Sequence, residues 1–188
     1  MNFFGFLNNG LKSRGFTLLE ILVSMVIIIT LTVMVLSNFE FSGSQFALKR
    51  SVYKLSQDIR NTQEMAISSR EVEGVSPKGG CGIHFDLLES KTSYILFADI
   101  LPDGLYNPAD GDLIIGNSIE LEKNVEISNI FWGGSLDVLD IVFVPPDPKI
   151  KINGSEAIIA TRVDINLIVP TGATGTVSVN SVGLIETK

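Results

Sequence analysis

The chain has 188 residues, with 14 basic against 21 acidic side chains, one cysteine, one histidine and a formal net charge of −7. That length fits one domain or a domain with an appendage, the acidity speaks against a general binder of nucleic acid or of anionic membrane surfaces, and a single cysteine excludes an internal disulfide or a cysteine-rich zinc site. A hydrophobic content of 45% and a mean hydropathy of +0.34 exclude a disordered chain and imply that apolar residues are concentrated somewhere.

They are concentrated near the start. Lys12 and Arg14 open the chain with positive charge, and no acid occurs before Glu20. Between Glu20 and Glu40 lie 19 residues without a charge. With Phe16 to Leu19 the stretch reaches the ~20 residues with which a helix crosses a ~30 Å hydrocarbon core. The basic flank predicts a cytoplasmic N-terminus, and everything after about residue 40 lies outside. A secretory signal would use a shorter run, of roughly 7–15 residues, ending in small residues before a cut. Here the run ends in Leu36-Ser37-Asn38-Phe39-Glu40, with no Ala-x-Ala pattern. A plain membrane anchor accounts for length and orientation, but not for an acid inside the run. A carboxylate at mid-bilayer costs about 2.5–3.5 kcal/mol, although one near a helix end still reaches the interface.

The run Lys12-Ser13-Arg14-Gly15-Phe16-Thr17-Leu18-Leu19-Glu20, followed by uncharged apolar sequence, closely resembles the class III signal of type IV pilins and pseudopilins. The resemblance covers about residues 1–40 and implies that residues 1–15 are a leader ending at Gly15. It also implies that a prepilin peptidase and methyltransferase cuts after that glycine and methylates the new amino group of Phe16. Gly15 suits such a cut because bare backbone is easily gripped in extended form. Removing Lys12 and Arg14 would take the net charge from −7 to −9. The cut leaves residues 16–40 attached as a membrane and assembly helix. Glu20 then stands fifth and can neutralise the α-amine of a neighbouring subunit, since an unpaired charge in an apolar filament core is costly. The partners implied are other pilin subunits in a helical filament and an inner-membrane assembly platform.

Residues 41–72 continue with a second helical pattern. Leu48, Val52, Leu55, Ile59, Thr62 and Ala66 recur at spacings of three and four, a stripe along one helix face. Lys49, Arg50, Lys54, Arg60, Asn61 and Glu64 fall largely off it. Ser42-Gly43-Ser44 marks a place where the join between the two halves can loosen. A helix from about Phe16 to Arg70 would run roughly 80 Å.

Residues 73–188 change character. Gly74 to Gly80 is a turn-rich break, after which β patterns predict strands at 82–87, 93–98, 113–120, 125–131, 139–144, 158–168 and 175–185. The stretches from Arg162 and from Thr176 both alternate polar and apolar residues and close as an antiparallel hairpin through Pro170-Thr171-Gly172. The segment Val144-Pro145-Pro146-Asp147-Pro148 ends a strand, because proline cannot donate into a ladder. One long helix followed by strands without βαβ alternation is an α+β fold, a helix packed on an antiparallel sheet. This head resembles the H-type minor pseudopilins of type II secretion and related minor pilins, through Leu55 to Ala66, Tyr94 to Asp99, Ile141 to Pro145 and the late Gly183 hairpin. Their Phe-x-Pro-x-Gly segment reads Phe143-Val144-Pro145-Pro146-Asp147 here, without the glycine.

Few residues invite chemistry. His84 is the lone histidine, with no nucleophile elbow or phosphate loop beside it, which points away from an enzyme. Strand alternation places Cys81 and residue 83 on one face and His84 on the other, so Cys81 and His84 diverge, and Cys81 reads as a small core residue. Trp132 reads as core or surface patch. The loop from Asp99 to Asp112 holds Asp99, Asp103, Asn107, Asp110 and Asp112, five oxygen-bearing side chains within 14 residues. Ca²⁺ seeks six to eight oxygens, and some pseudopilin relatives hold calcium in loops of this region. The spacing is not that of an EF-hand, and Asp-Gly pairs also serve ordinary turns. The expectation is a solvated turn and no cofactor, with Ca²⁺ the weaker reading. Together these features imply a structural filament subunit of a type IV pilus or type II secretion pseudopilus, made as a single-pass protein of the bacterial inner membrane. The alternative is an adhesive or DNA-uptake subunit at a filament tip. DNA capture calls for clustered cations, and Lys149, Lys151, Arg162 and Lys188 are spread among acids.

Overall fold

The structure, a computed structural model, describes residues 15–146, 149–156 and 162–188, and within the long helix it leaves aside the side chains of residues 37–42. Helix α1 spans Leu18–Ile67, and the chain divides into two compact units between Glu40 and Phe41.

In the first unit, Leu18–Leu36 is a 19-residue run of mean hydropathy 2.7, none of it buried. Its few hydroxyls are satisfied within the helix. Ser24 Oγ donates to the Glu20 carbonyl at 2.7 Å, Thr30 Oγ1 to that of Ile27 at 2.9 Å, and Thr32 Oγ1 to that of Ile28 at 2.7 Å. A helix with its backbone and hydroxyl donors paired internally meets the requirement that hydrocarbon imposes on a spanning segment.

In the second unit the stripe on α1 is the centre of the core. Leu48, Val52, Leu55, Ile59, Thr62 and Ala66 are all buried, while Lys49, Arg50, Lys54, Arg60, Asn61 and Glu64 are exposed. Ser42-Gly43-Ser44 is helical. The helix ends at Ile67, a few residues before the predicted boundary, where Ser69 takes a φ of 47° and turns the chain.

Two antiparallel sheets follow. The first contains β1 (Gly80–Asp86), β2 (Ser93–Asp99), β3 (Leu113–Ile114), β4 (Ile119–Glu120), β7 (Val138–Val144), β8 (Lys149–Ile152) and β9 (Ser155–Glu156). Its order is β3-β2-β1-β7-β8-β9, with β4 also on β2. The second contains β5 (Glu126–Phe131), β6 (Ser135–Leu136), β10 (Arg162–Ile168), β11 (Thr174–Asn180) and β12 (Ile185–Thr187), in the order β12-β11-β10-β5-β6. The fold is α+β. The predicted hairpin is β10–β11, in register from Arg162 opposite Asn180 to Ile168 opposite Thr174. The inner residues of both sheets, among them Ile83, Phe85, Tyr94, Ile165, Leu167 and Val177, join the α1 stripe in one core.

Several predicted strands differ in the structure. The single strand expected at 113–120 is two, because Gly116 takes a φ of 82° between them. The strand expected at 175–185 breaks at a turn where Asn180 Oδ1 accepts the N–H groups of Val182 and Leu184. Strands β6, β8 and β9 lie in stretches read as loop: β6 and β9 have two residues each, too few for a period-two signal, whereas β8 alternates Lys149-Ile150-Lys151-Ile152 and carries that signal directly behind the prolines that end β7. Residues 158–161 of the predicted strand ending at Ile168, and Asp147 and Pro148 of the proline segment, lie outside the described residues.

Candidate functional site

At the N-terminal motif, Gly15, Phe16 and Thr17 precede the helix in non-helical conformation. Thr17 caps α1: its Oγ1 accepts the Glu20 N–H at 3.2 Å, and its carbonyl accepts the Ile21 N–H at 3.2 Å. Thr17-x-x-Glu20 therefore has the sequence of a capping box, a helix-start signal that spacing alone carries. Glu20 stands in the first turn, where helix geometry favours an acid. Phe16 is 77% exposed. A Cβ built on Gly15 meets nothing within 4 Å, and Gly15 is not among the glycines with positive φ. The fold itself does not require glycine there. Lys12 and Arg14 lie outside the described residues.

The acidic loop is a strap across the face of the first sheet turned away from the helix. Lys151 Nζ donates to the Pro102 carbonyl at 2.7 Å, and the Gly154 N–H to that of Gly104 at 3.1 Å. The Tyr106 ring lies 5.1 Å from Phe97 and 4.7 Å from His84. The five oxygen-bearing residues are largely occupied with the loop's own backbone. Asp112 accepts the N–H groups of Ile100 at 2.9 Å and Asn107 at 2.8 Å. Asp103 accepts that of Leu105, Asn107 that of Ala109, and Asn107 Nδ2 donates to Asp110. Asp99 is fully buried; its Oδ2 accepts the Gly104 N–H at 2.9 Å, and its Oδ1 has no partner among the described residues. Its carboxyl lies where a Cβ on Gly79 would fall. Burial pushes the Asp99 pKa up to about 7, the Gly104 N–H opposing and the nearby Asp112 and Asp103 adding to the rise. Among the described residues, no three His, Cys, Asp or Glu side chains are grouped so as to hold a metal ion.

Cys81 and Ile83 face the core, and Cys81 is fully buried, which raises its thiol to about 11. His84 faces the opposite way, its Nδ1 2.7 Å from Asp140 Oδ1. Asp140 in turn receives its backbone support from Asn153, whose Oδ1 accepts the Asp140 N–H at 2.7 Å. The Asp140 and Tyr106 partners of His84 could not be read from sequence because they come from β7 and from the strap. Trp132 is half-buried against the core.

In comparison with known families, residues 10–36 fit the family model described as "Prokaryotic N-terminal methylation motif". No curated protein and no solved structure matches the chain. The match spans Gly15, Phe16, Glu20 and the unburied apolar run. Such a motif is the substrate feature of prepilin peptidases, and the apolar helix behind it is consistent with a membrane anchor. Residues 10–36 therefore carry the N-terminal signature of a type IV pilin-like precursor.

Proposed function

We propose that this protein is a structural subunit of a type IV pilus or type II secretion pseudopilus. On this reading residues 1–15 are removed by cleavage after Gly15, Phe16 is N-methylated, and α1 holds the chain in the bacterial inner membrane with its head outside. The assembly platform then passes it into a filament of pilin subunits. The observation that carries the reading is the methylation motif set directly ahead of 19 apolar residues with no cover of their own. An apolar surface of that extent must be covered by lipid or by other helices. Gly15 supports it independently, since neither packing nor backbone conformation calls for glycine there and recognition by a protease does.

Within that class the head is read as that of an H-type minor pseudopilin or related minor pilin, with no catalytic role and no cofactor. A tip-located DNA-uptake role gains nothing from Lys151 and Arg162, which are engaged with Pro102 and with Asp164 and Ser178. Mass spectrometry of the membrane and sheared-filament fractions tests the reading. The expected species begins at N-methyl-Phe16, and replacing Gly15 by a bulky residue leaves the precursor uncut. A mature terminus beyond residue 36 would overturn it.

A further inference from the structure

The face of the first sheet turned away from α1 has a small apolar layer of its own. Phe97 and Val142 are fully buried there, yet neither belongs to the core that α1 joins. Gly82 stands opposite both in register, and a Cβ on it would lie 2.8 Å from the Phe97 ring, so bare backbone seats that ring. The strap, residues 100–112, lies over this layer with Tyr106 against Phe97 and His84.

The strap is braced internally and tied down lightly. Within it, Asp112 accepts the N–H groups of Ile100 and Asn107, and Asn107 accepts that of Ala109. Besides the Tyr106 ring, its ties to the sheet are Lys151 Nζ on the Pro102 carbonyl, the Gly154 N–H on the Gly104 carbonyl, and the Gly104 N–H on Asp99. No strap side chain joins the main core, so lifting the strap leaves that core whole.

The tie at Asp99 ends on a carboxyl. That group is fully buried at the end of β2, and its Oδ1 has no partner among the described residues. On the β1 side it meets Gly79, with Gly80 opposite in register. The charged groups acting on it are Asp112 and Asp103 of the strap and Lys151 of β8. Ionised under a closed strap, it would keep one hydrogen bond, lack water and face two acids against one lysine, which is costly.

We propose that Asp99 is a proton-operated latch: protonated, it lets the strap lie closed over Phe97 and Val142, and its ionisation lifts the strap to admit water while the core stays folded. The direction of its pKa, raised to about 7 by burial, agrees with that geometry. With the strap lifted, the carboxyl returns toward its ordinary 3.8. The open population therefore climbs as pH rises between those two values and levels off above the upper one. What the strap uncovers is an apolar patch beside His84, so the latch sets whether that face is available. The latch belongs to the head and stands apart from the filament reading.

Hydrogen exchange of the full chain in lipid nanodiscs, in buffer with a chelator, tests it. The readout is the protection of the Gly104 and Gly154 amides, corrected for the intrinsic pH dependence of exchange and compared with amides of β10. Strap protection falls about fiftyfold between pH 5 and 7 and no more than about twofold from pH 7 to 8. The β10 amides stay better protected throughout, because their exchange requires the core to open. In Asp99→Asn, which cannot ionise, strap protection is flat across the same range. Constant strap protection in the native chain overturns the latch without any variant. So does a loss that only matches that of β10, which would mean that the strap opens by global unfolding alone. An Asp99→Asn chain that keeps the native pH profile overturns it as well.

Discussion

Asp99 is a carboxyl group with no access to water, one hydrogen-bond donor and one idle oxygen. Its pKa rises from an ordinary 3.8 to about 7. Between those values the folded chain keeps a proton that the unfolded chain has lost. Stability from this group is therefore fully present below pH 4, falls as pH climbs toward 7, and levels off above it. The expected loss is a few kcal/mol at most. Asp164 works in the other direction and in another window: burial pushes its pKa up, but hydrogen bonds from Ser178 and Arg162 outweigh that and hold it low. Its contribution is lost only as pH falls below the ordinary carboxylate range. Asp99→Asn, which cannot ionise, should flatten the decline between pH 5 and 7.5 in denaturant unfolding. An unchanged slope would show that Asp99 does not titrate in that window. In the proposed filament Glu20 is the second residue whose charge would count. Glu20→Ala should leave insertion and cleavage intact, since an acid in lipid is only a cost. Filament incorporation should fall, because removing one partner of a buried ion pair costs about 3–5 kcal/mol. Glu20→Gln should fail in the same way, and comparing processed protein with sheared filament in one strain decides it. Normal incorporation of the Ala variant would reduce Glu20 to an interfacial residue.

At the scale of elements, α1 meets the second sheet at Gly175, where an added Cβ would stand 2.7 Å from Val52 Cγ2. Gly175→Ala should cost about 1–3 kcal/mol by overpacking. Gly175→Ala with Val52→Ala should lose less than the two single changes together, a coupling that a thermal melt of all four chains would read. The centre of the stripe on α1 was legible in the sequence, since its apolar residues repeat at helical spacing over five turns, whereas the buried Ala47, Ser51 and Ser56 beside it are too small or too polar to signal their burial. The β10–β11 hairpin was legible for the same reason at period two, with its turn residues at Pro170 and Gly172. Strands β6 and β9 have two residues each, and no periodicity can be seen in two residues. They exist because β5 or β8 offers a partner, which is tertiary information. At the motif, Gly15, Phe16 and Glu20 were singled out by the resemblance of their run to the prepilin signal. The cap made by Thr17 was also written there, as a threonine three residues before a glutamate. The loop from Asp99 to Asp112 shows the limit: composition marks five oxygen-bearing side chains, but only the fold shows that Asp99 and Asp112 turn inward to backbone N–H groups.

For the molecule as a whole, one core joins the α1 stripe to both sheets, and every one of its buried residues lies beyond Glu40. A chain beginning at Phe41 should therefore fold cooperatively as an acidic monomer. Aggregation without a cooperative transition would show that the stripe needs a neighbouring chain to cover it. The same protein should show no shift in melting temperature with millimolar Ca²⁺, because Asp103 and Asp112 are engaged with the loop's own backbone and Asp110 with the Asn107 side chain. A rise would reveal a filled site, since a ligand that binds only the folded state must stabilise it. The uncovered run from Leu18 to Leu36 has a consequence for energy and direction in assembly. Lipid tails and a bundle of like helices are nearly equivalent solvents for such a surface, so moving it from one to the other releases little hydrophobic free energy. The run holds no pair of glycines to let helices approach closely, and its hydroxyls are spent on their own carbonyls. In the proposed filament this segment would act less as glue than as a bearing, free to slide between two oily phases. Polymer growth would then be poised near balance, its direction set by Glu20, by contacts between heads and by whatever motor drives the platform.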